Sequence, residues 1–207
     1  MWGSDLIAAG LRQVGFTVTS LNPGASYRGL HDSMVNYPDG QLDILTCLHD
    51  EHAVAVAHGW TKVTGRPMAV LLHANVGVLH AAMAVFNAWC DRAPVVLIAG
   101  NGPLEEASRR PWIDWLHTNR DLAAYLRPHL KWDGAPQSVE ELAEMVRTGW
   151  RTAAEAPQAP VMLTLDIGVQ DMPAGEVHLP PLDFTSQTRS AIERETLQTV
   201  RSMIRQA

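Results

Sequence analysis

The sequence predicts a doubly wound α/β fold, an open parallel sheet with helices on both faces, and three observations predict it. Short runs such as MAVLLH (68–73) and VVLIA (95–99) are apolar throughout, as strands covered on both faces must be. Between such runs lie longer stretches in which apolar residues recur at helical spacing. Gly and Pro stand at the junctions, which is the punctuation of successive strand and helix units.

From Ser4 to Val14, the residues Leu6, Ile7, Leu11 and Val14 define a helix, Gly15 stops it, and Phe16 to Thr19 favours a strand. LNPGAS forms a sharp loop, Tyr27 to Tyr37 a helix closed by a Pro38-Asp39-Gly40 turn, and Leu42 to Cys47 a second strand. Asp50-Glu51 opens a small-residue helix that runs to about Val63 and is broken by Gly65-Arg66-Pro67. After the strand MAVLLH come a helix from about Gly77 to Trp89, the strand Val95 to Ala99 and a long polar loop. A helix at Ser138 to Glu155 and the strand Val161 to Leu165 complete the sheet. The pattern then changes: residues 1–170 read as one domain, 171–188 as an extended linker rich in Pro, Ser and Thr, and 189–207 as a separate helix that resembles the start of a further, truncated domain.

With 207 residues and 46% apolar content the chain can bury a real core. A formal charge of −6 without a basic stripe disfavours nucleic acid. Cys47 and Cys90 lie in apolar stretches that read as buried, without paired or metal-type spacing. No apolar run is long enough to cross a bilayer, and the N-terminus lacks signal-peptide regions, so a cytoplasmic protein is expected.

On open parallel sheets, ligands bind beyond the carboxyl ends of the strands. There this sequence places Asn22-Pro23-Gly24-Ala25-Ser26, His49-Asp50-Glu51, His73-Ala74-Asn75 and Gly100-Asn101-Gly102, four loops expected to converge on one rim. Glu51 at the first turn of an apolar helix is accounted for by helix chemistry alone, with Asp50 as the cap and Glu51 opposing the positive helix end. Facing an apolar wall, the same carboxylate would share a proton with a buried heterocycle. His73, leaving an apolar strand at the rim, is a structural or a catalytic residue on this reading. There is no GxGxxG in the first strand-to-helix turn, no P-loop and no HExxH or paired Cys/His, so no dinucleotide, P-loop nucleotide or zinc site is expected. Gly100 to Pro103 reads as a turn, and Trp112, Trp115 and Trp132 as packing residues.

The ordered set LNPGAS, LHDEHAVAVAHGWTKVTGRPMAVLLHANVG and AVFNAWCDRAPVVLIAGN resembles the N-terminal pyrimidine-binding domain of thiamine diphosphate enzymes, over about residues 4–170. It is most similar to benzoylformate decarboxylases, then to acetolactate synthase-like enzymes; the Lys131-Trp132 strand and the Ala-Pro-Gln-Ala-Pro entry to the last strand also match the decarboxylases. The resemblance implies that Glu51 hydrogen-bonds a ring nitrogen of the cofactor's aminopyrimidine. It implies that His73 assists proton transfer to bound substrate, that Pro23, Gly24 and Asn75 meet the cofactor, and that Asn22, Ala25 and Ser26 border the substrate pocket with His73. Two positions depart: Ala25 replaces a substrate-contacting serine, with Ser26 one place later, and His80 stands where relatives often carry asparagine.

The family's Gly-Asp-Gly and Asn-Asn pattern, which holds magnesium and the diphosphate, has no match in these residues. The expected cofactor is thiamine diphosphate shared with another domain, which also holds Mg2+, this chain supplying no metal ligand. Expected partners are a second copy or a diphosphate-binding chain, together with a small 2-oxo acid. Three functions remain open: a component of a decarboxylase or an acetolactate synthase-like carboligase, a non-catalytic module of the same fold, and a free-standing nucleotide-binding domain.

Overall fold

The computed structural model describes residues 1–36, 42–175 and 193–206. Six strands form one fully parallel sheet: β1 (Val18–Leu21), β2 (Asp43–Thr46), β3 (Met68–His73), β4 (Val95–Asn101), β5 (Trp132–Gly134) and β6 (Val161–Asp166). Their order is β2-β1-β3-β4-β6-β5. Side chains on β3 alternate between two cores, which explains why its sequence is apolar without interruption. Ala69 and Leu71 enter one core, whereas Met68, Val70 and Leu72 enter the other.

The first core is covered by α1 (Gly3–Gln13), α2 (Arg28–Asn36) and α6 (Val139–Ala154), through Ile7, Leu11, Leu30, Leu142 and Val146. The second is covered by α3 (Asp50–Thr64) and α4 (Ala74–Cys90), through Ala53, Val54, Ala57, Val78, Ala81 and Val85. Small residues on these two helices let them pack closely on each other. Gly65, at φ 69°, ends α3 in the left-handed conformation open to glycine.

Most elements lie where the sequence places them, with ends shifted by a few residues; α4 starts earlier than expected, directly after His73. The stretch after Ala99 is more structured than a polar loop. Strand β4 continues through Gly100 and Asn101, and Asn101 is buried in a two-way amide bridge with the backbone of Asn119. Helix α5 (Ile113–His117) and β5 follow, so Trp132 is in a sheet strand, while Trp112 and Trp115 are exposed.

Both cysteines are free, as their spacing implied, but they are less buried than expected: Cys47 is half-buried and Cys90 is exposed. Cys90 lies on the outer side of α4, which is apolar on its outward face as well, so an apolar neighbourhood did not mean burial. Beyond β6, a short helix α7 (Ile167–Gln170) and a bridge between Trp2 and Pro173 tie the chain back to α1. The Pro38-Asp39-Gly40 turn and most of the linker lie outside the described residues, as does the start of the last helix, which is described as α8 (Arg194–Gln206) with no buried residue. No helix among the described residues is long and apolar enough to cross a membrane.

Candidate functional site

The strand order sets the position of the site. From β1 the chain turns to the edge strand β2 through α2 on one face, whereas from β3 it turns the other way to β4 through α4 on the opposite face. The loops after β1 and β3 therefore diverge, leaving a crevice at a topological switch point. Asn22 to Ser26 form the first of these connections, and His73 to Asn75 the second, where β3 passes directly into α4.

Asp50 joins them. Its side chain is 3% exposed, accepts the Asn22 amide at 2.9 Å and accepts the backbone N–H of His73 at 3.3 Å. A Cβ at Gly77 would run into this carboxylate, so α4 approaches α3 only because residue 77 has no side chain. The sequence pointed to Asp50 as the helix cap, but His49 holds that position: its Nδ1 accepts the Glu51 N–H at 3.2 Å. Asp50 turns inward instead, because two buried donors from other elements meet it there. Tyr27, fully buried, donates its hydroxyl to the Asn22 carbonyl. Burial, and then the charge of Asp50, hold that phenol protonated far above its usual range.

Ser26 and His73 form the second cluster. Ser26 Oγ lies 2.9 Å from His73 Nδ1 and accepts the Ala74 N–H at 3.2 Å, directly where Ala74 takes a left-handed φ of 35°. Glycines on both sides make room: a Cβ at Gly24 would be 2.5 Å from the His73 Cβ, and one at Gly100 would be 2.6 Å from Ser26 Oγ. The His73 ring meets His117 edge-on, with centroids 5.2 Å apart. Burial, then His117, lowers the His73 pKa below its ordinary 6.5, while Asp50 acts in the opposite direction.

Glu51 stands beside this network, one residue from Asp50 on the first turn of α3, half-buried and without a side-chain partner among the described residues. Its turn is bordered by imidazoles: His49 stacks on His80 at 4.6 Å between centroids, and His52 is 5.6 Å from His49. His80 thus ties α4 to the helix start that presents Glu51.

The remaining rim residues divide clearly. Pro23 and Ala25 are exposed, Asn22 and Gly24 are half-buried, and Ser26 is turned inward. Asn75 donates its amide to the Leu116 carbonyl at 2.9 Å and accepts the Val76 N–H, so it holds α5 against the rim. A separate cleft of about 810 Å³ opens behind Ala25 and Ser26, lined by Asp5, Arg28, Arg110 and Asp171, and reaches neither Glu51 nor His73. Among the described residues no cluster of His, Cys, Asp or Glu is arranged to hold a metal ion. The inward Asp50, Tyr27 and His117 were not singled out as site residues from the sequence. The adjacent Asp50-Glu51 pair carried the one available signal, since only one of two neighbouring helix-start carboxylates was needed to oppose the helix end.

Residues 1–124 match the family model described as "Thiamine pyrophosphate enzyme, N-terminal TPP binding domain". The chain is 30% identical over 171 residues to the benzoylformate decarboxylase of Pseudomonas aeruginosa, covering 82% of this chain and 31% of that protein. It is 27% identical over 152 residues to an acetolactate synthase of Bacillus subtilis, covering 73% of this chain and 25% of that protein. The fold superposes on the benzoylformate decarboxylase of Polynucleobacter necessarius with a TM-score of 0.82 at 22% identity, over 98% of this chain and 36% of that one. The 4-hydroxybenzoylformate decarboxylase of Rhodococcus jostii RHA1 gives 0.79 at 21% identity, over 99% and 37%. This chain therefore spans between a quarter and two fifths of the length of these relatives.

Proposed function

This chain belongs to the thiamine pyrophosphate enzymes as their N-terminal TPP-binding domain, and on that premise we propose that it is the aminopyrimidine-binding, cofactor-activating half of a benzoylformate decarboxylase-like 2-oxo acid decarboxylase. The observation that carries the proposal is the Glu51 carboxylate, half-buried on the first turn of α3 beside the switch-point crevice and unmatched by any donor among the described residues. A group held by the fold but left without a partner suits a ligand nitrogen better than a purely local role.

Thiamine diphosphate, when bound, supplies a thiazolium carbon able to add to a 2-oxo acid and stabilise the charge left on decarboxylation. Glu51 holds a proton at the aminopyrimidine ring nitrogen and so tunes the basicity of the amino group. Pro23 and Gly24 offer a bare backbone surface to the cofactor, and Asn75 supports the neighbouring α5 segment. His73 exchanges protons with the substrate, with Asn22 and Ala25 bordering its pocket and the inward Ser26 behind the imidazole. The diphosphate and its Mg2+ fall to a separate domain or subunit. A second copy of this chain, or that diphosphate-binding chain, packs on the exposed apolar face of α4, where Val76, Leu79, Met83 and Phe86 follow one another at helical spacing.

The test is reconstitution with a diphosphate-binding partner, thiamine diphosphate and Mg2+, followed by turnover of benzoylformate and pyruvate. Glu51→Gln is expected to lower turnover by about 10²–10⁴-fold with an unchanged circular dichroism spectrum and melting temperature. Unchanged turnover rejects the role of Glu51. Product analysis then separates an aldehyde, from decarboxylation, from a joined carbon skeleton, from an acetolactate synthase-like carboligation.

A further inference from the structure

We infer that Ser26, clamped by the buried Gln170, locks His73 in the tautomer protonated on Nε2 and so makes it a hydrogen-bond donor toward the crevice. The inference deepens the proposed role of His73 and rests on that reading for its functional meaning, though not for the geometry.

A serine hydroxyl has one proton and two lone pairs. The Ser26 oxygen already accepts the Ala74 N–H at 3.2 Å, and its other polar neighbour is His73 Nδ1 at 2.9 Å. Were Nδ1 protonated, both hydrogens would point at the oxygen, and the hydroxyl proton would need a third acceptor. None among the described residues is within hydrogen-bonding distance, because the next wall is the Cα of Gly100, with no space even for a Cβ. Ser26 is 3% exposed, and native interiors avoid an unmatched buried donor. The arrangement that satisfies every group has the hydroxyl donating to Nδ1. The proton of the imidazole is then on Nε2, an atom that has no partner among the described residues and is not sealed from solvent.

The backbone that carries the serine is held in place. Gln170, 2% exposed, donates its amide to the Ser26 carbonyl at 3.0 Å and to the Leu165 carbonyl at 3.2 Å, fixing the loop to the end of β6. The charged or titratable groups facing His73 are His117, edge-on to the ring, and Asp50, on its backbone N–H; neither reaches Nδ1. The adjacent positions thus have separate roles, for exposed Ala25 carries no hydroxyl while the hydroxyl one residue later serves the histidine. Ser26 is a positioning residue on this account, and His73 presents an N–H instead of a lone pair to whatever carbonyl or carboxylate enters.

Long-range ¹H–¹⁵N correlation spectra of the ¹⁵N-labelled full chain test this directly, with His73 assigned by the signals lost in His73→Asn. At pH 7.5 the wild type is expected to show a protonated Nε2 and a bare Nδ1. In Ser26→Ala the two nitrogens should move toward each other as both tautomers become populated. A wild-type ring protonated on Nδ1 overturns the inference, and so does a Ser26→Ala spectrum identical to wild type. The wild-type pattern is diagnostic even if the variant does not fold. No cofactor or partner takes part, so failure here is distinguishable from failure of the Glu51 assignment.

Discussion

Three residues with similar sequence credentials do different work at the rim. Asp50 is consumed by the fold, Glu51 is left free by it, and His73 is held between Gly24 and the Ser26 hydroxyl. This arrangement gives His73 a measurable signature. The unfolded chain binds a proton on this histidine near the ordinary 6.5, whereas the folded chain resists it through burial and His117. Folding stability is therefore expected to fall as pH drops below 6.5 through the lower folded value, and to lose nothing more from this group beyond it. Urea titrations at pH 7.5, 6 and 5 should show a steeper loss for wild type than for His73→Asn; equal losses would contradict the assignment. Gly24→Ala places a Cβ 2.5 Å from the His73 Cβ. It should destabilise by about 1–3 kcal/mol in the same urea measurement and displace the loop that carries Ala25 and Ser26.

At the level of elements, α3 and α4 form a pair whose close approach depends on small residues, and two of their glycines are expected to respond oppositely to alanine. Gly77 faces the Asp50 carboxylate, so Gly77→Ala must push the helices apart or expel Asp50, at about 1–3 kcal/mol of overpacking. Gly59 is exposed on α3 with nothing within 4 Å of an added Cβ. Gly59→Ala should stabilise by about 0.5–1 kcal/mol, the helix preference of alanine over glycine. Thermal and urea unfolding of both variants decide this, and a shared sign would show that the close approach at Gly77 is not limiting. The elements themselves were largely legible in the sequence, since β3 and β4 carry unbroken apolar runs and α3 is closed by Gly65. The segment after Ala99 was less so: the Lys131-Trp132 strand was seen only through the resemblance, because α5 and β5, of five and three residues, are too short to show a period. They are organised by distant partners: β6 pairs with β5, and Asn101 with Asn119.

For the molecule as a whole, one face of the α3–α4 layer is unfinished. Helix α4 has Asn75, His80 and Asn87 as its polar side chains, and its outer stripe leaves Leu79 50% and Met83 56% exposed while Ala81 and Val85 are sealed inside. A helix apolar on all sides is normally covered on all sides. Leu79→Glu combined with Met83→Glu is expected to reduce self-association or partner binding in sedimentation velocity without lowering the melting temperature. An unchanged distribution of species would place the interface elsewhere.

The sequence by itself determined the fold class, the order of most elements and the family, because apolar periodicity, Gly and Pro punctuation and the motifs around Glu51 are local properties. It also brought His73, Glu51 and the Asn22 to Ser26 loop into view as candidates. Which of them meet was decided by tertiary structure alone. The strand order opens the crevice between β1 and β3, His117 arrives from α5, and Gln170 reaches Ser26 from 144 residues away. The direction of a side chain is set by the donors and acceptors that surround it in space. For that reason Asp50, which the sequence placed on the helix cap, was instead drawn into the core by Asn22 and the His73 backbone, leaving Glu51 at the rim.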